Sequence, residues 1–304
     1  MEEKEQRAAW KTLLAFAIIY LVWGSTFLAI RVGVKELPPF LFAAVRFSVA
    51  GAALFGWMLT RGAKLPSGRE WASMGMIALL IFVFDYGLLF WAEQRVPSGI
   101  AAVMMATIPA FMALAEILFL RAQRLTVRLA VALLIGIAGV AVLMSRSLNL
   151  GGAAIDSAGA AALIVGAVSW SVASVLSKKL PLPESKIVSS GAQMLAGGLM
   201  LALVAVGRGE LSGFHAEAVS REAWIAMIYL IVMGSIVGFT AYVWLIHHES
   251  PTKVGTYAYV NPVVAVALGY FLAGEAVGAR TVVGTICVLV SVVVITTSGS
   301  KKTA

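Results

Sequence analysis

The sequence is poor in charged residues and has a single cysteine. Only 12% of its 304 residues are charged, about half of the roughly 25% found in soluble domains, so a water-soluble globular fold is excluded. Cys287, alone in the chain, rules out a disulfide framework within the chain and a zinc site built from several cysteines. Hydrophobic residues make up 61% of the chain, and the mean hydropathy is +0.94.

Apolar residues occur in continuous stretches of about twenty, the length with which a helix crosses a hydrocarbon core of about 30 Å. A β-barrel would alternate polar and apolar residues in segments of about ten. The sequence therefore predicts an all-α membrane protein with ten transmembrane helices. The predicted spans are 10–31, 39–60, 71–93, 97–120, 126–145, 157–178, 187–207, 223–246, 254–274 and 280–298.

Lysine and arginine predict the orientation of these spans. If the N-terminus is cytoplasmic, 15 basic residues lie on the cytoplasmic side, 7 on the other side and Arg46 within a span, which accounts for all 23. Cytoplasmic loops of membrane proteins carry the excess of Lys and Arg, so both termini are predicted to be cytoplasmic. The net charge of +8 then reflects topology, and no nucleic-acid partner is expected.

The two halves of the chain, residues 1–150 and 151–304, show a weak internal repeat. Trp23-Gly24-Ser25 falls over Trp170-Ser171-Val172, Pro97 over Pro251, and Pro109 over Pro262. Five spans per half is an odd number, so the second half is predicted to be inserted upside down. Inverted repeats of this kind are a transporter architecture, with the substrate site near the membrane midplane where the halves meet.

Several motifs resemble a known family. Trp23-Gly24-Ser25-Thr26-Phe27, Val45-Arg46-Phe47, Pro109 with the stretch 120–126, and Asn261-Pro262 with the stretch 271–275 resemble the EamA-type members of the drug/metabolite transporter superfamily. Within that group the chain is most similar to the YddG-type aromatic amino acid exporters of bacterial cytoplasmic (inner) membranes. The resemblance implies a multi-pass protein with helices 1–4 and 6–9 around a central cavity and helices 5 and 10 outside. Gln123 departs from the pattern, because many relatives have glutamate there.

Asp85 and Arg46 are charged residues well inside predicted spans, where a charge costs at least about 2.5–3.5 kcal/mol at a helix centre. Asp85, near the middle of the third span, is interpreted either as a cavity-facing acid that binds a proton or an ammonium group, or as a structural carboxyl that is neutral or paired with Arg46. Arg46 is interpreted as a structural tether, with binding of a substrate carboxylate as the alternative.

Aromatic residues and prolines complete the candidate site. Rings well inside their spans suit the wall of a site for a largely apolar metabolite, with plain helix packing as the alternative. Prolines in mid-helix remove a backbone donor, and breaks at matching positions of two repeats point to a transport site. The predicted substrate-binding residues are Trp23, Ser25, Asp85, Tyr86, Trp170, Tyr257 and Asn261, and the predicted hinges are Pro109, Pro262 and Gly238.

The predicted function is export of small metabolites by alternating access, with amino acids, aromatic ones among them, as substrates. Asp85 is compatible with proton coupling, which facilitated diffusion does not need. Efflux of lipophilic cations is a second transport hypothesis. An intramembrane enzyme is disfavoured, because the sequence has neither a His-Glu-x-x-His motif nor a nucleophile elbow, and a receptor or scaffold would lack an aqueous module. No cofactor or metal is expected; the predicted partners are a small-molecule substrate and the lipid bilayer, with the chain as a monomer or homodimer.

Overall fold

The protein is all-helical in its computed structural model, which describes residues 2–96, 101, 104–121, 124–143, 156–212, 214–273 and 278–298. A short helix, Pro251–Gly255, directly precedes the long helix that begins at Tyr257. The other helices are α1 (Glu2–Gly33), α2 (Pro39–Thr60), α3 (Gly68–Glu93), α4 (Ile108–Leu120), α5 (Val127–Leu143), α6 (Ser157–Leu176), α7 (Lys186–Gly207), α8 (Arg221–His248), α9 (Tyr257–Ala273) and α10 (Ala279–Ser298).

Six of these helices, α1, α2, α3, α6, α7 and α8, are long and apolar enough to cross a membrane, counted over the described residues. They coincide with predicted spans within a few residues, and the remaining predicted spans fall on the shorter helices. An all-α membrane protein is therefore confirmed, while the count of ten crossings and the cytoplasmic termini stay predictions. Pro97, Gln123, Glu275 and the boundary between the predicted halves at 150 and 151 lie outside the described residues.

Short polar side chains begin most of the long helices. Ser67 and Glu70 form a capping box at α3, in which each residue's side chain accepts from the other's backbone N–H. Asp156 accepts from the Gly159 N–H at 2.7 Å and so begins α6. Ser185, Ser220 and Ser250 do the same for α7, α8 and the short helix before α9. These caps satisfy backbone donors that a helix start leaves free.

Glycines let α2 and α7 touch through their backbones. A Cβ added at Gly51 would lie 2.3 Å from the backbone nitrogen of Leu195, and one at Gly198 would lie 2.4 Å from that of Ser48. Small residues permit this close approach of helices in a membrane, where packing rather than hydrophobic burial drives association. The contact joins the N-terminal half of the chain to the C-terminal half.

The helices α5 and α10 form a second close pair. A Cβ at Gly139 would lie 2.9 Å from the backbone nitrogen of Val288. The hydroxyl of Ser291 donates to the Ala132 carbonyl at 2.6 Å, and the Tyr259 hydroxyl of α9 donates to the Leu133 carbonyl at 3.0 Å. The small residues of α5 therefore pack against helices of the same chain.

Two glutamates cap helices across the loops α1–α2 and α7–α8. The Glu36 carboxylate accepts from the backbone N–H and the hydroxyl of Ser220, both at 2.7 Å, at the start of α8. In the other direction, Glu210 accepts from the backbone N–H of Leu41 at 2.8 Å, at the start of α2. A negative charge is favourable at a helix N-terminus, so these reciprocal glutamate caps hold the two loops together at one end of the bundle.

The Glu36 cap makes a pH-dependent contribution to stability. The hydrogen bonds from Ser220 lower the pKa of the Glu36 carboxyl. A carboxylate whose pKa is depressed on folding stabilises the protein above its unfolded pKa, about 4.3 for glutamate, and loses that effect as the pH falls through the folded pKa. We expect Glu36→Gln to lower the unfolding temperature in detergent at neutral pH, with the difference from the parent protein vanishing in acid. The exposed Glu217→Gln, in the loop between α7 and α8 that contains Ser220, is the control; a difference that is constant with pH would contradict the prediction.

Candidate functional site

Five aromatic rings from five helices meet at the centre of the bundle. Trp170 of α6 lies 4.8 Å from Tyr242, 5.6 Å from Trp23, 5.6 Å from Tyr86 and 6.3 Å from Tyr257, measured between ring centroids. Trp23 also lies 4.8 Å from Tyr257 and 5.2 Å from Tyr242. Most of these contacts are edge-on or tilted, the geometry that aromatic quadrupoles favour. We call these five residues the central aromatic cluster.

Four members of the central aromatic cluster are predicted substrate-binding residues, and the structure brings them together. Tyr242 is the fifth member, and it was not among the predicted site residues. It is only 1% exposed, and its hydroxyl donates to Ser174, whose own hydroxyl donates to the Trp170 carbonyl at 2.6 Å. The aromatic content of 239–244 is the sequence signal for it, although Trp244 of the same stretch stacks instead on His248 at 3.9 Å.

Asp85 is buried beside the central aromatic cluster. Its side chain is 2% exposed, and its Oδ1 has no hydrogen-bond partner. A Cβ added at Gly166 of α6 would lie 3.1 Å from this oxygen, so the glycine provides the room in which the carboxyl sits. The described residues contain no ion pair between Asp85 and Arg46, which removes the pairing interpretation.

Arg46 of α2 contacts the ring of Tyr86. Its guanidinium is fully buried and lies 5.2 Å from the centroid of the Tyr86 ring and 4.6 Å from that of Phe47. Its Nε donates to the hydroxyl of Ser235 at 2.8 Å, while its Nη1 has no hydrogen-bond partner. Stacking on aromatic faces stabilises a cation, but it supplies no counter-charge.

Asn261 borders a small cavity next to Tyr257. The cavity has a volume of about 30 Å³ and is lined by apolar residues and by Asn261 and Pro262, which is about the space of one water molecule. The Asn261 side chain is 3% exposed, and its Oδ1 has no partner. Pro262 lies within α9, as predicted, and removes a backbone hydrogen bond there.

Pro109 differs from its predicted mid-helix position. It is the second residue of α4, and the backbone turns at 106–107 just before it. The Thr107 N–H donates to the Met104 carbonyl at 3.1 Å and the Ala110 N–H to the Thr107 carbonyl at 3.0 Å, so the break precedes the proline. A proline is well accommodated in the first helical turn, where its missing N–H is not needed.

Ser25 was predicted to bind substrate and Gly238 to act as a hinge, and the structure shows what each residue contacts. The Ser25 hydroxyl donates to the Val22 carbonyl at 2.7 Å and accepts from the Tyr229 hydroxyl at 2.5 Å, so it lies outside the central aromatic cluster. A Cβ added at Gly238 would lie 2.5 Å from the indole nitrogen of Trp23. The absence of a side chain at Gly238 therefore leaves room for the Trp23 ring, and the role of Gly238 as a hinge stays a prediction.

Two widened helical segments flank the site at matching places in the halves. The chain is π-helical over Leu79–Gly87 of α3 and over Leu230–Phe239 of α8. Side chains of the opposite half donate to both: the Ser169 hydroxyl to the Leu80 carbonyl at 2.8 Å, and the Trp23 indole N–H to the Gly234 carbonyl at 3.0 Å. Segments of π-helix inside α-helices occur mostly at functional sites. Nothing in the sequence indicated them.

Cations tie helix ends together at both ends of the bundle. At the end with the reciprocal glutamate caps, Arg31 of α1 donates to the backbone carbonyl of Glu93 at the end of α3. At the opposite end, Lys178, just after α6, donates to the backbone carbonyl of Glu249, just after α8, at 2.6 Å. Cations are favourable at helix C-termini. We call these contacts the Arg31 clamp and the Lys178 clamp.

Buried carboxylates accompany the two clamps. Glu93 is fully buried, and neither of its carboxylate oxygens has a hydrogen-bond partner; no feature of the sequence had marked it. Glu116 of α4 accepts from the Thr252 hydroxyl at 2.8 Å and from its backbone N–H at 3.3 Å. This carboxylate therefore caps the short helix before α9.

The chain matches a family model described as the EamA-like transporter family, and it does so twice, over residues 10–145 and 157–297. It belongs to the EamA-like transporter family. This EamA-like chain is 39% identical over 264 residues to an uncharacterized inner membrane transporter, YedA, of Escherichia coli strain K12, covering 86% of this chain and 82% of the relative. It is 26% identical over 299 residues to an uncharacterized transporter, YoaV, of Bacillus subtilis strain 168, covering 96% and 99%.

The fold of the EamA-like chain also occurs in a solved crystal structure. The TM-score is 0.76 at 23% sequence identity, and the match covers 95% of this chain and 97% of the other. The family match and the 39% identical relative confirm the superfamily prediction: the EamA-like chain is a multi-pass membrane transporter of the bacterial inner membrane. The finer likeness to YddG-type aromatic amino acid exporters stays a prediction.

Proposed function

We propose that this protein is an alternating-access transporter that exports small amphipathic metabolites, amino acids with aromatic side chains among them. The observation that carries the proposal is the central aromatic cluster, with Asp85, whose Oδ1 lacks a partner, beside it. Its rings come from α1 and α3 of one half and from α6, α8 and α9 of the other. A ring system of this kind binds an apolar side chain by stacking, and a buried carboxylate with a free oxygen binds an ammonium group.

Alternating access is supported by the arrangement of the two ends. The family model matches each half separately, which fits two related halves around one site. The Arg31 clamp and the Lys178 clamp join corresponding helices, α1 to α3 and α6 to α8, at opposite ends. With both clamps closed, the rings fill the centre. Release of one clamp at a time would admit substrate from one side of the membrane only.

Efflux of lipophilic cations is the second candidate. Asp85 among aromatic rings favours it, because carboxylates and ring faces both attract cations. The guanidinium of Arg46, 5.2 Å from the Tyr86 ring centroid, opposes it, because a like charge in a medium of low dielectric constant repels strongly. The ammonium group of a zwitterion can pair with Asp85 and its carboxylate with Arg46, whereas a simple cation can pair only with Asp85.

Flux into proteoliposomes tests the proposed function. We expect radiolabelled tryptophan and phenylalanine to cross faster than threonine by about tenfold, because one stacked ring contributes about 0.5–1.5 kcal/mol beyond its buried area. Tetraphenylphosphonium at the same concentration is expected not to compete with tryptophan. Amino acid flux no greater than in empty vesicles would reject the proposal, and strong competition by the cation together with no amino acid flux would favour the second candidate.

A further inference from the structure

The guanidinium of Arg46 is a buried cation without a counter-ion. The side chain is 1% exposed, and its described neighbours include the hydroxyls of Ser235 and Tyr86 and the faces of Phe47, Tyr86 and Phe90. All of these groups are neutral. Buried charges in proteins are normally paired, and among the described residues no carboxylate forms an ion pair with Arg46. Arg46 is therefore a buried cation that forms no ion pair with any residue that the structure describes.

The surroundings hold this guanidinium in one orientation. The hydroxyl of Ser235 fixes Nε. A Cβ added at Gly234 would lie 2.8 Å from Nη2, so the glycine leaves the space that the guanidinium occupies. Both residues belong to the π-helical segment Leu230–Phe239 of α8. With Nε engaged, Nη1 is the donor that has no hydrogen-bond partner.

The neighbouring acid does not supply the missing charge. Asp85 forms no ion pair with Arg46 among the described residues, and its own Oδ1 lacks a partner. Arg46 and Asp85, each with one polar atom that lacks a partner, thus both belong to the surroundings of the central aromatic cluster. An α-amino acid carries the two complementary charges together with a side chain that stacks on rings, and a guanidinium matches a carboxylate by the planar fork of its N–H groups.

We infer that Arg46 binds the carboxylate of the transported substrate, so that a carboxylate is required and an amine alone is not accepted. This inference rests on the proposed function, because it assigns the substrate class of the same site. It replaces the interpretation of Arg46 as a structural tether. It also gives the bond from Nε to Ser235 a role, since that bond orients the remaining N–H groups.

Three indole compounds test the inference by binding to the purified protein in detergent. Tryptophan carries both charges, indole-3-propionate carries only the carboxylate, and tryptamine carries only the ammonium group. Calorimetry and the rise in unfolding temperature measure their binding. We expect tryptophan and indole-3-propionate to bind the parent protein at least about tenfold more tightly than tryptamine, as one charge-assisted contact predicts. Equal or tighter binding of tryptamine, or no binding of either carboxylate, would overturn the inference.

Substitutions sharpen the same test. Arg46→Gln is expected to abolish the preference for carboxylates, and Arg46→Lys to restore it in part. Ser235→Ala keeps the charge and is expected to weaken carboxylate binding about threefold or more without changing tryptamine binding, so the test survives if the Arg46 variants fail to fold. The control is Arg61→Gln, an arginine at the exposed end of α2 that lies over Trp57, and it is expected to bind all three compounds like the parent.

Flux measurements separate the two proposals. Carboxylate binding that depends on Arg46 but is followed by no flux would support the inference and reject transport of these compounds. Flux of tryptophan and tryptamine at equal rates would support transport of amphipathic metabolites and overturn the role of Arg46.

Discussion

Replacement of Gly51 by leucine is expected to remove most of the folded protein from the membrane, whereas replacement of Gly56 by leucine is expected to have little effect. Both glycines belong to α2. A Cβ at Gly51 would lie 2.3 Å from the backbone nitrogen and 2.7 Å from the Cα of Leu195, while a Cβ at Gly56 meets nothing within 4 Å. A backbone contact cannot be relieved by rotation of a side chain, so α2 and α7 would have to separate.

The loss from Gly51→Leu should exceed about 3 kcal/mol, the upper end of ordinary overpacking in a core. For a chain of this size that corresponds to a fall of about 10 °C in the unfolding temperature. The yield of monodisperse protein in detergent and its thermal unfolding measure the effect. A parallel pair on α7, Gly198→Leu and Gly207→Leu, repeats the comparison, since a Cβ at Gly207 also meets nothing within 4 Å. Equal yields within each pair would contradict the described α2–α7 contact.

Replacement of Trp170 by alanine is expected to reduce tryptophan flux per folded molecule by at least about tenfold. Trp170 contacts all four other members of the central aromatic cluster, each ring pair being worth about 0.5–1.5 kcal/mol. Its loss removes the surface on which the substrate ring would stack. Truncation of a buried tryptophan also costs about 3–5 kcal/mol of stability, so flux is normalised to the amount of folded transporter.

Two control variants allow the Trp170→Ala result to be interpreted. Trp170→Phe keeps a ring and is expected to retain most of the flux. Trp57→Ala removes a tryptophan of α2 that is 48% exposed and is expected to leave flux unchanged. Normal flux per folded molecule in Trp170→Ala would show that the central aromatic cluster only packs the helices, as the sequence interpretation had allowed.

The extents of the helices were accessible from the sequence because hydrophobic length and helix breakers encode them. The span predicted over 39–60 coincides with α2, which begins at the proline pair Pro38-Pro39. The span predicted over 187–207 differs from α7 by one residue. In a bilayer, the number of apolar residues fixes where a helix crosses, and polar loop residues fix where it ends.

The direction of individual side chains was less accessible. Trp23, Tyr86, Trp170 and Tyr257 were predicted from their depth, and they do meet, but Ser25 turns to Tyr229 instead. Lipid-facing and protein-facing sides of a membrane helix are both apolar, so periodicity does not separate them as it does in a soluble helix. Depth can be read along one helix, whereas rotation about its axis depends on the neighbouring helices.

Contacts between the two halves could not be predicted from the sequence either, because they also depend on the rotation of each helix about its axis. Arg46 was interpreted as a tether from its place in the family pattern. No feature of the chain shows that the hydroxyl of Ser235, 189 positions away, accepts from its Nε. The π-helical segments of α3 and α8 follow from donors on the opposite half that engage their carbonyls. The turn before Pro109 likewise depends on the packing around it, since a proline is tolerated both at a helix start and at a kink.

The reciprocal glutamate caps restrict how related transporters can be recombined. Glu36 serves a helix of the C-terminal half and Glu210 serves a helix of the N-terminal half. A chimera that joins the first half of this protein to the second half of a relative would keep Glu36 and Leu41. It would lose Glu210 and Ser220, and with them both caps, unless the relative carries the same residues. The loop between α1 and α2 and the loop between α7 and α8 must therefore be exchanged, lengthened or shortened together, although about 180 residues of chain separate them.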